Sequence, residues 1–156
     1  DDPPISPVRG VPRIITSVEA YDRVLSYADS AHNGVAFCQG NFAAMGVDVP
    51  DTIRHFGDRL HFAHFRDVEG DPSDFVETWH DDGPTDMAAA IDAYRDIGFD
   101  GVIRPDHVGT MAGPELGDGG NKGRLFALGY MKGLIDQAES RDRRSRAVTT
   151  PTTDVE

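Results

Sequence analysis

The sequence predicts an α/β fold built from parallel βα units. Two observations lead to this class. Short apolar runs of strand length alternate along the chain with segments whose apolar residues recur at helical spacing. Successive strand-like runs are also separated by some tens of residues, which leaves room for the crossover helix that parallel strands need. The 156 residues suit one ordinary domain, and a complete α/β barrel needs roughly 250.

One helix and one strand are predicted near the start of the chain. Residues 1–13 are rich in proline and read as a loop, and 13–16 form a short extended piece. Ser17 can cap a helix over 18–28, in which apolar residues recur at helical spacing. The apolar run 34–38 ends in a Gly/Asn segment, which is typical of a buried parallel strand.

A second helix and strand follow. Pro50 is suited to the first turn of a helix over 50–56, because a proline needs no helical N–H there. The apolar run 60–65 is the next predicted strand. The segment 66–83 is rich in acidic residues and is predicted to be a loop.

The third unit begins after this loop. Thr85 is predicted to cap a helix over 86–97, and Gly98 to end it, because glycine accepts the left-handed conformation at helix ends. The run 101–105 is the third predicted strand.

The last predicted elements are a glycine-rich loop over 111–123 and a helix over 124–137. Its inward face is predicted to hold Leu125, Leu128, Met131, Leu134 and Ile135. Apolar residues almost vanish from Glu139 onward, so 139–156 is predicted to be a disordered tail behind a domain over 1–138.

The chain is strongly acidic, and its composition excludes some partners. The net charge of −12 argues against a nucleic acid or an anionic membrane as partner, since both attract clustered basic residues. There are 21 Asp but only 6 Glu, and 13 Arg but only 2 Lys. A surface rich in short, strongly hydrated carboxylates and poor in lysine stays soluble in concentrated salt. We therefore hypothesise a salt-adapted protein, with an ordinary acidic bacterial protein as the alternative.

The single cysteine excludes an internal disulfide and favours a reducing cytoplasm. No apolar run is long enough to span a membrane. We therefore expect a cytoplasmic protein with a small-molecule partner, and the sequence leaves self-association open.

Polar residues stand at the carboxyl ends of all three predicted strands. They are Cys38, His64 and the pair Asp106-His107. Chemistry in parallel βα folds is placed at these strand ends. A thiolate, an imidazole and a carboxylate together suit Fe(II), Mn(II), Co(II) or Zn(II). Each residue alone is also compatible with a structural role, since free cysteines are commonly buried as small apolar side chains.

Several longer motifs make the chain resemble the C-terminal part of the mannonate dehydratase family over about residues 1–137. The motifs stand in the family's order, and they are Asp1-Asp2-Pro3-Pro4, Gly10-Val11-Pro12-Arg13-Ile14, Phe37-Cys38-Gln39-Gly40-Asn41, His61-Phe62-Ala63-His64-Phe65-Arg66-Asp67-Val68, the loop 80–87, Arg104-Pro105-Asp106-His107 and Gly123-Arg124-Leu125-Phe126-Ala127-Leu128-Gly129-Tyr130-Met131-Lys132-Gly133-Leu134. The resemblance implies that the βα units form about three of the eight strands of a TIM-type barrel.

The resemblance also implies a divalent metal, Fe(II) or Mn(II), and its ligands. The family holds its metal with a His, a Cys, a second His and an Asp, and the last three correspond to Cys38, His64 and Asp106. The family's first His belongs to a His-Pro pair directly before the Asp-Asp-Pro-Pro motif. Because this chain begins at that motif, we expect it to be a fragment that lacks the first ligand.

The implied reaction removes water from D-mannonate to give 2-dehydro-3-deoxy-D-gluconate. On this interpretation Asp106 and His107 are the catalytic residues, with His107 as acid or base. Arg66 and Arg104 are predicted to bind the carboxylate of the sugar acid, because a guanidinium matches a carboxylate with two parallel hydrogen bonds. His80 and Asp82 are predicted to bind substrate hydroxyls, and a solvated acidic loop is an equal alternative for both.

Two departures and two alternatives accompany this interpretation. The family often carries a Pro-Gly-Tyr segment before its last helix, whereas residues 115–123 contain no tyrosine, and Asn41 stands where serine is usual. One alternative is a related barrel enzyme, a sugar isomerase or epimerase. The other is an inactive fragment or a piece that binds a partner, because three βα units leave the sheet with two open edges.

Overall fold

The structure is a computed structural model that describes residues 4–112 and 121–149, with side chains up to Arg144. Its elements are, in chain order, α1 (Val18–Leu25), β1 (Val35–Cys38), α2 (Gln39–Ala44), α3 (Val49–Phe56), a single 3-10 turn (Gly57–Arg59), β2 (Leu60–His64), β3 (Val68–Asp71), β4 (Asp74–Glu77), α4 (Met87–Asp96), β5 (Val102–Arg104) and α5 (Asn121–Thr149).

Three strands form a parallel sheet in the order β1-β2-β5. Its register sets Cys38 opposite His64 and His64 opposite Arg104, so these three residues form one row at the carboxyl ends of the strands. A second row, formed by Ala36, Phe62 and Val102, lies two residues earlier along each strand and on the same face of the sheet. The prediction of parallel βα units is confirmed, and the strands stand where the sequence predicted them.

The two faces of this sheet have different surroundings. Phe37 and Phe65 are fully buried on the face that the helices cover. The core there also contains buried residues of α2, α3, α4 and α5, among them Phe42, Ile53, Phe56, Ile91, Tyr94 and Met131. On the opposite face Ala36 is exposed, and Val102 is 60% exposed. Only one face of the sheet is therefore packed within the described residues.

The N-terminal region departs from the prediction in detail. Residues 13–16 form no strand, and the extended pairing nearby is a single bridge between Val8 and Val11. Ser17 caps α1 as predicted, and its hydroxyl accepts the Ala20 N–H at 3.3 Å. The helix ends at Leu25 rather than at residue 28.

The caps of α3 and α4 are both aspartates. Asp48 caps α3 by accepting the Asp51 N–H at 2.8 Å. The prediction that Thr85 caps α4 is wrong: Asp86 accepts the Ala89 N–H at 2.9 Å instead. Thr85 faces the opposite way, because its N–H and hydroxyl both donate to the buried Asp67 at 2.7 Å. Gly98 ends the helix with φ of +68°, as predicted.

Apart from the short 3-10 turn, two features were not predicted from the sequence. One is α2, which begins directly after Cys38 and is almost entirely buried. The other is the hairpin of β3 and β4, which occupies the segment predicted to be an acidic loop. Its turn is closed by the Asp71 carboxylate, which accepts the Ser73 N–H at 2.8 Å and the Ser73 hydroxyl at 2.6 Å.

The last helix is longer than predicted and presents a different face. α5 extends to Thr149, over residues where we predicted a disordered tail; residues 150–156 lie outside the described range. Ala138 is fully buried, and Arg141 binds the Asp92 carboxylate of α4 at 2.8 and 2.9 Å, which fixes this part of the helix. The boundary of a domain at residue 138 stays a prediction.

The predicted inward face of α5 is partly wrong. Leu125 and Leu128 are 59% and 46% exposed, whereas Met131 is 7% exposed and belongs to the core. Ala127 and Ala138 are fully buried, so the packed stripe of α5 includes these small residues. Among the described helices, none is both long and apolar enough to cross a membrane.

Candidate metal centre

Three predicted ligands meet at the carboxyl end of the parallel sheet. Cys38 ends β1, His64 ends β2, and Asp106 follows β5 by two residues. One donor atom from each of them lies within 4.8 Å of the other two. The Nδ1 atom of His64 is 3.7 Å from the Oδ2 atom of Asp106. The parallel register produces this meeting, because it brings the ends of β1 and β2 side by side.

The chemistry of this donor set fits a divalent transition metal. Sulfur, nitrogen and oxygen donors together are typical of such ions, and three protein ligands leave coordination positions open for a substrate. Cys38 is buried, whereas the side chains of His64 and Asp106 are 25% and 17% exposed. Solvent and small molecules can therefore reach the three donors from the side of His64 and Asp106, whereas the Cys38 thiol lies on the buried side.

Burial shifts the protonation of two of these donors. It raises the pKa of the Cys38 thiol, and the neighbouring Arg66 guanidinium partly opposes this by favouring the thiolate. Burial lowers the pKa of His64, although the nearby Asp106 carboxylate acts in the opposite direction. The imidazole is consequently held in its neutral form, which is the form that binds metals.

Arg66 connects the metal ligands to the residues around them. The sequence predicted that it binds a substrate carboxylate, but its side chain is 2% exposed and directed at protein groups. Its guanidinium contacts the Cys38 Sγ at 3.2 Å, the Asn41 Oδ1 at 2.9 Å, and the Glu77 Oε1 and His107 Nδ1 at 2.6 Å each. The structure thus places Arg66 behind Cys38, where its contacts hold neighbouring side chains in position.

His107 lies at the exposed edge of this group. Its side chain is 50% exposed, and its Nδ1 atom is 2.6 Å from the Glu77 Oε1. Its other ring nitrogen, Nε2, is 3.7 Å from the Asp106 Oδ2. The ring therefore stands between the hairpin carboxylate and a candidate metal ligand, with one edge open to solvent.

Arg104 is placed where a ligand could reach it. Its side chain is 53% exposed and shares the sheet row of Cys38 and His64. The Nη2 atom donates to the Asp106 Oδ1 at 2.9 Å. The remaining donors of this guanidinium are suited to an incoming carboxylate.

The other two predicted substrate residues lie elsewhere. His80 is 1% exposed and stacked on the core residue Phe65, so its ring is sealed from solvent. Its ring nitrogens make no hydrogen bond of good geometry within the described residues, although a contact with the Phe65 backbone favours the charged ring. Asp82 is exposed and lines an open pocket of about 330 Å³, together with Trp79, Asp81, Met111 and Phe126.

Two residues that contact Arg66 next to the candidate site, Glu77 and Asn41, were not predicted from the sequence. Glu77 belongs to the unpredicted hairpin, and Asn41 was considered only as a departure from a motif. Gly40 is needed because a Cβ there would lie 2.6 Å from the Arg66 Nε. The signal in the sequence was the presence of Gly40 and Asn41 shortly after the candidate ligand Cys38. Of the tyrosine-free segment 115–123, residues 115–120 lie outside the described range.

Comparisons with known proteins agree on one family. The family model described as D-mannonate dehydratase (UxuA) matches residues 1–145. The mannonate dehydratase of Oceanobacillus iheyensis is 41% identical over 148 residues, which cover 91% of this chain and 42% of that protein. The mannonate dehydratase of Thermotoga maritima is 39% identical over 152 residues, with 92% and 42% covered.

A solved structure supports the same relationship. The crystal structure of mannonate dehydratase from Streptococcus suis serotype 2 superposes with a TM-score of 0.80 at 32% identity. The match covers all of this chain and 45% of the other. The chain thus spans about two fifths of the length of the curated relatives it matches, and the prediction of βα units from a TIM-type barrel is confirmed. Family model, relatives and fold together show that the chain belongs to the mannonate dehydratase family.

Proposed function

We propose that this chain contributes the metal-binding part of an active site that dehydrates D-mannonate to 2-dehydro-3-deoxy-D-gluconate. The observation that carries the proposal is the meeting of the Cys38, His64 and Asp106 donors within 4.8 Å, with His107 beside them. These groups come from three different strand ends, so the fold itself brings them together. The substrate is taken from the family, and a sugar acid suits the exposed Arg104 guanidinium.

Cys38, His64 and Asp106 would hold a divalent metal, which we propose to be Fe(II) or Mn(II). When bound, such an ion supplies positive charge that stabilises the negative charge developing on a substrate carboxylate during proton removal. The resemblance described above implies a further His ligand, which is not among the three donors that meet here. We therefore expect the 156 residues alone to bind metal weakly.

The chemistry requires a proton to leave C2 and a hydroxyl to leave C3. The C2 proton is weakly acidic because a carboxylate neighbours it, and removal of the C3 hydroxyl as water leaves an enol that becomes the 2-keto product. We assign one of the two proton transfers to His107, whose ring is half-exposed beside Asp106. Asp106 would act with it by fixing the position of the reacting group. Arg104 would bind and orient the substrate carboxylate.

The proposal gives different roles to three residues that were predicted to bind substrate, namely Arg66, His80 and Asp82. Arg66 is assigned to positioning the Cys38 thiolate rather than to substrate binding, because its donors face protein groups. His80 is assigned to the core. Asp82 keeps the proposed role of binding a substrate hydroxyl, because it is exposed at an open pocket. A free thiol as ligand also favours a reducing, cytoplasmic compartment.

The proposal is tested by metal content and turnover in the natural gene product that contains this chain. Cys38→Ser should reduce retained metal, whereas His107→Asn should keep the metal and lower the rate of keto-acid formation by about 10²–10⁴-fold. His32→Asn is the control, because His32 is exposed and is none of the candidate ligands or proposed catalytic residues. Unchanged turnover in His107→Asn would exclude its assignment, and unchanged metal content in Cys38→Ser would exclude the metal site.

A further inference from the structure

Glu77 stands at the end of the hairpin and contacts His107. It is the last residue of β4 and pairs in register with Val68, which is 2% exposed. Because Val68 is anchored in the interior, the pairing fixes the backbone of Glu77 above Arg66. The Glu77 Oε1 atom is 2.6 Å from both the Arg66 Nη1 and the His107 Nδ1.

We propose that Glu77 is a positioning residue that holds His107 in the tautomer with its proton on Nδ1 and leaves Nε2 free to exchange protons with substrate. The catalytic meaning of this tautomer rests on the proposed function. The tautomer itself is a property of the chain and can be measured without turnover.

The short contact with the carboxylate favours one tautomer. A neutral imidazole has one protonated nitrogen and one lone pair. A carboxylate oxygen 2.6 Å from a nitrogen lone pair would be repelled, which favours a hydrogen on Nδ1 that is donated to Glu77. Arg66 is always a donor, and its Nη1 donates to the same oxygen. The carboxylate thus accepts two charge-assisted hydrogen bonds.

The position of Nε2, the other ring nitrogen, determines what this tautomer can do chemically. With the proton on Nδ1, the lone pair of Nε2 lies on the side of Asp106, 3.7 Å from its Oδ2. An acceptor nitrogen can take a proton there and return it later, whereas an Nε2–H tautomer could only donate. A carboxylate that fixes the tautomer of a histidine base is the logic of the Ser-His-Asp triad.

A competing hydrogen bond to the same nitrogen has the same length. The Arg66 Nη1 is also 2.6 Å from the His107 Nδ1. If Arg66 donated to that nitrogen, the ring proton would move to Nε2. Glu77 would then have no part in orienting the base, and its removal would leave the tautomer unchanged.

The test is the nitrogen-15 spectrum of the histidine rings in this 17.0 kDa chain, recorded at mildly alkaline pH so that neutral rings are observed. The resonances of His107 are identified among the six histidines by comparison with His107→Asn. We expect Nδ1 to be of the protonated type and Nε2 of the unprotonated type. In Glu77→Ala we expect the two assignments to exchange, because Arg66 is then the partner of Nδ1 that remains among the described residues.

Two further variants keep the result interpretable. Glu77→Gln retains an acceptor oxygen without the charge and should give a mixture of both tautomers. Glu69→Ala removes an exposed carboxylate from the neighbouring strand β3 and should leave the His107 spectrum unchanged. Amide spectra of all variants report whether the fold is retained.

An Nε2–H tautomer in the unmodified chain would overturn the proposal, and so would an unchanged His107 spectrum in a folded Glu77→Ala variant. Neither result would contradict D-mannonate dehydration. Absence of turnover in the natural gene product, with the expected tautomer in this chain, would instead exclude the proposed function and leave the positioning role of Glu77 intact.

Discussion

The Nε atom of Arg66 lies 3.2 Å from the Sγ atom of Cys38, so a permanent cation stands against the thiol that we assign as a metal ligand. Both side chains are buried, and the charge of Arg66 is balanced by Glu77 at 2.6 Å. This arrangement favours the thiolate in a place where burial alone favours the thiol. Arg66 therefore adjusts the protonation of Cys38 through electrostatics.

Replacing Arg66 with methionine should make the Cys38 thiol harder to ionise. Burial already raises the pKa of the thiol above its ordinary value, and loss of the guanidinium removes the opposing influence, so the pKa rises further. Thiolate absorbance in a pH titration of the metal-free chain, which has one cysteine, measures this directly. Arg54→Met, at an exposed ion pair with Asp96, is the control. A titration that moves to lower pH would contradict the electrostatic role of Arg66.

Gly40→Ala should disturb the same contact from the backbone. The new Cβ would lie 2.6 Å from the Arg66 Nε and 3.1 Å from its Cγ and Cζ, and the guanidinium is bonded on several sides. We expect a loss of about 1–3 kcal/mol in the free energy of unfolding, as overpacked interiors show. Urea unfolding measures it.

A second glycine provides the contrasting control for this substitution. Gly129 lies within α5, and a Cβ there would contact nothing within 4 Å. Gly129→Ala should therefore stabilise the chain by about 1 kcal/mol through helix propensity. Equal effects of the two substitutions would show that the space around Arg66 does not limit residue 40.

The candidate metal ligands could be predicted from the sequence because they stand at strand ends. Cys38 and His64 each end an apolar run that can be recognised in the sequence. Parallel pairing of the two strands then brings these ends together. Glu77 could not be found in this way. It reaches His107 only because a short hairpin folds back, and its turn depends on a local Asp71–Ser73 interaction within a run of polar residues.

Roles of charged residues were harder to predict than their location. Arg66 follows a strand end, and the sequence pattern does not distinguish an arginine that meets substrate from one buried against Asn41 and Cys38. The burial of His80 depends in the same way on its stacking against Phe65. The later part of α5 could not be predicted either, because its contacts, the buried Ala138 and the pair of Arg141 with Asp92, leave no apolar periodicity in the sequence.

His80 should make the folded state sensitive to acid. Burial lowers its pKa in the folded chain, so below the ordinary histidine value of about 6.5 the unfolded chain binds a proton that the folded chain does not. The free energy of unfolding should therefore fall as pH decreases through about 6.5, by at most about 1.4 kcal/mol per pH unit for one group. His64, whose pKa is also lowered, acts in the same direction.

His80→Phe isolates this contribution. The phenyl ring keeps the stacking on Phe65 and removes the group whose pKa is lowered by burial, together with its contact to the Phe65 backbone. Urea unfolding at about pH 7.5 and about pH 5.5 should show a smaller difference for the variant than for the unmodified chain. An equal difference in both proteins would show that His80 does not couple protonation to folding.

Salt should stabilise the chain, as the salt-adaptation hypothesis requires. The net charge is −12, and exposed aspartates such as Asp29, Asp58 and Asp100 lie on its surface. Screening by molar KCl weakens the repulsion among these carboxylates, since the Debye length falls to about 3 Å at 1 M. The surface ion pairs are also screened, but exposed pairs contribute little, so the loss is smaller than the gain.

The measurement is a thermal unfolding series from low to molar KCl. For a chain of this size each kcal/mol of stabilisation raises the unfolding midpoint by roughly 2–4 °C. A triple variant with Asp29, Asp58 and Asp100 each replaced by Asn has a net charge of −9, from −12 and three charges removed, and should gain less from salt. A midpoint that falls as KCl is added would contradict the hypothesis. An equal gain in both proteins would assign the effect to the cohesion of apolar groups in concentrated salt, because that effect does not depend on the number of carboxylates.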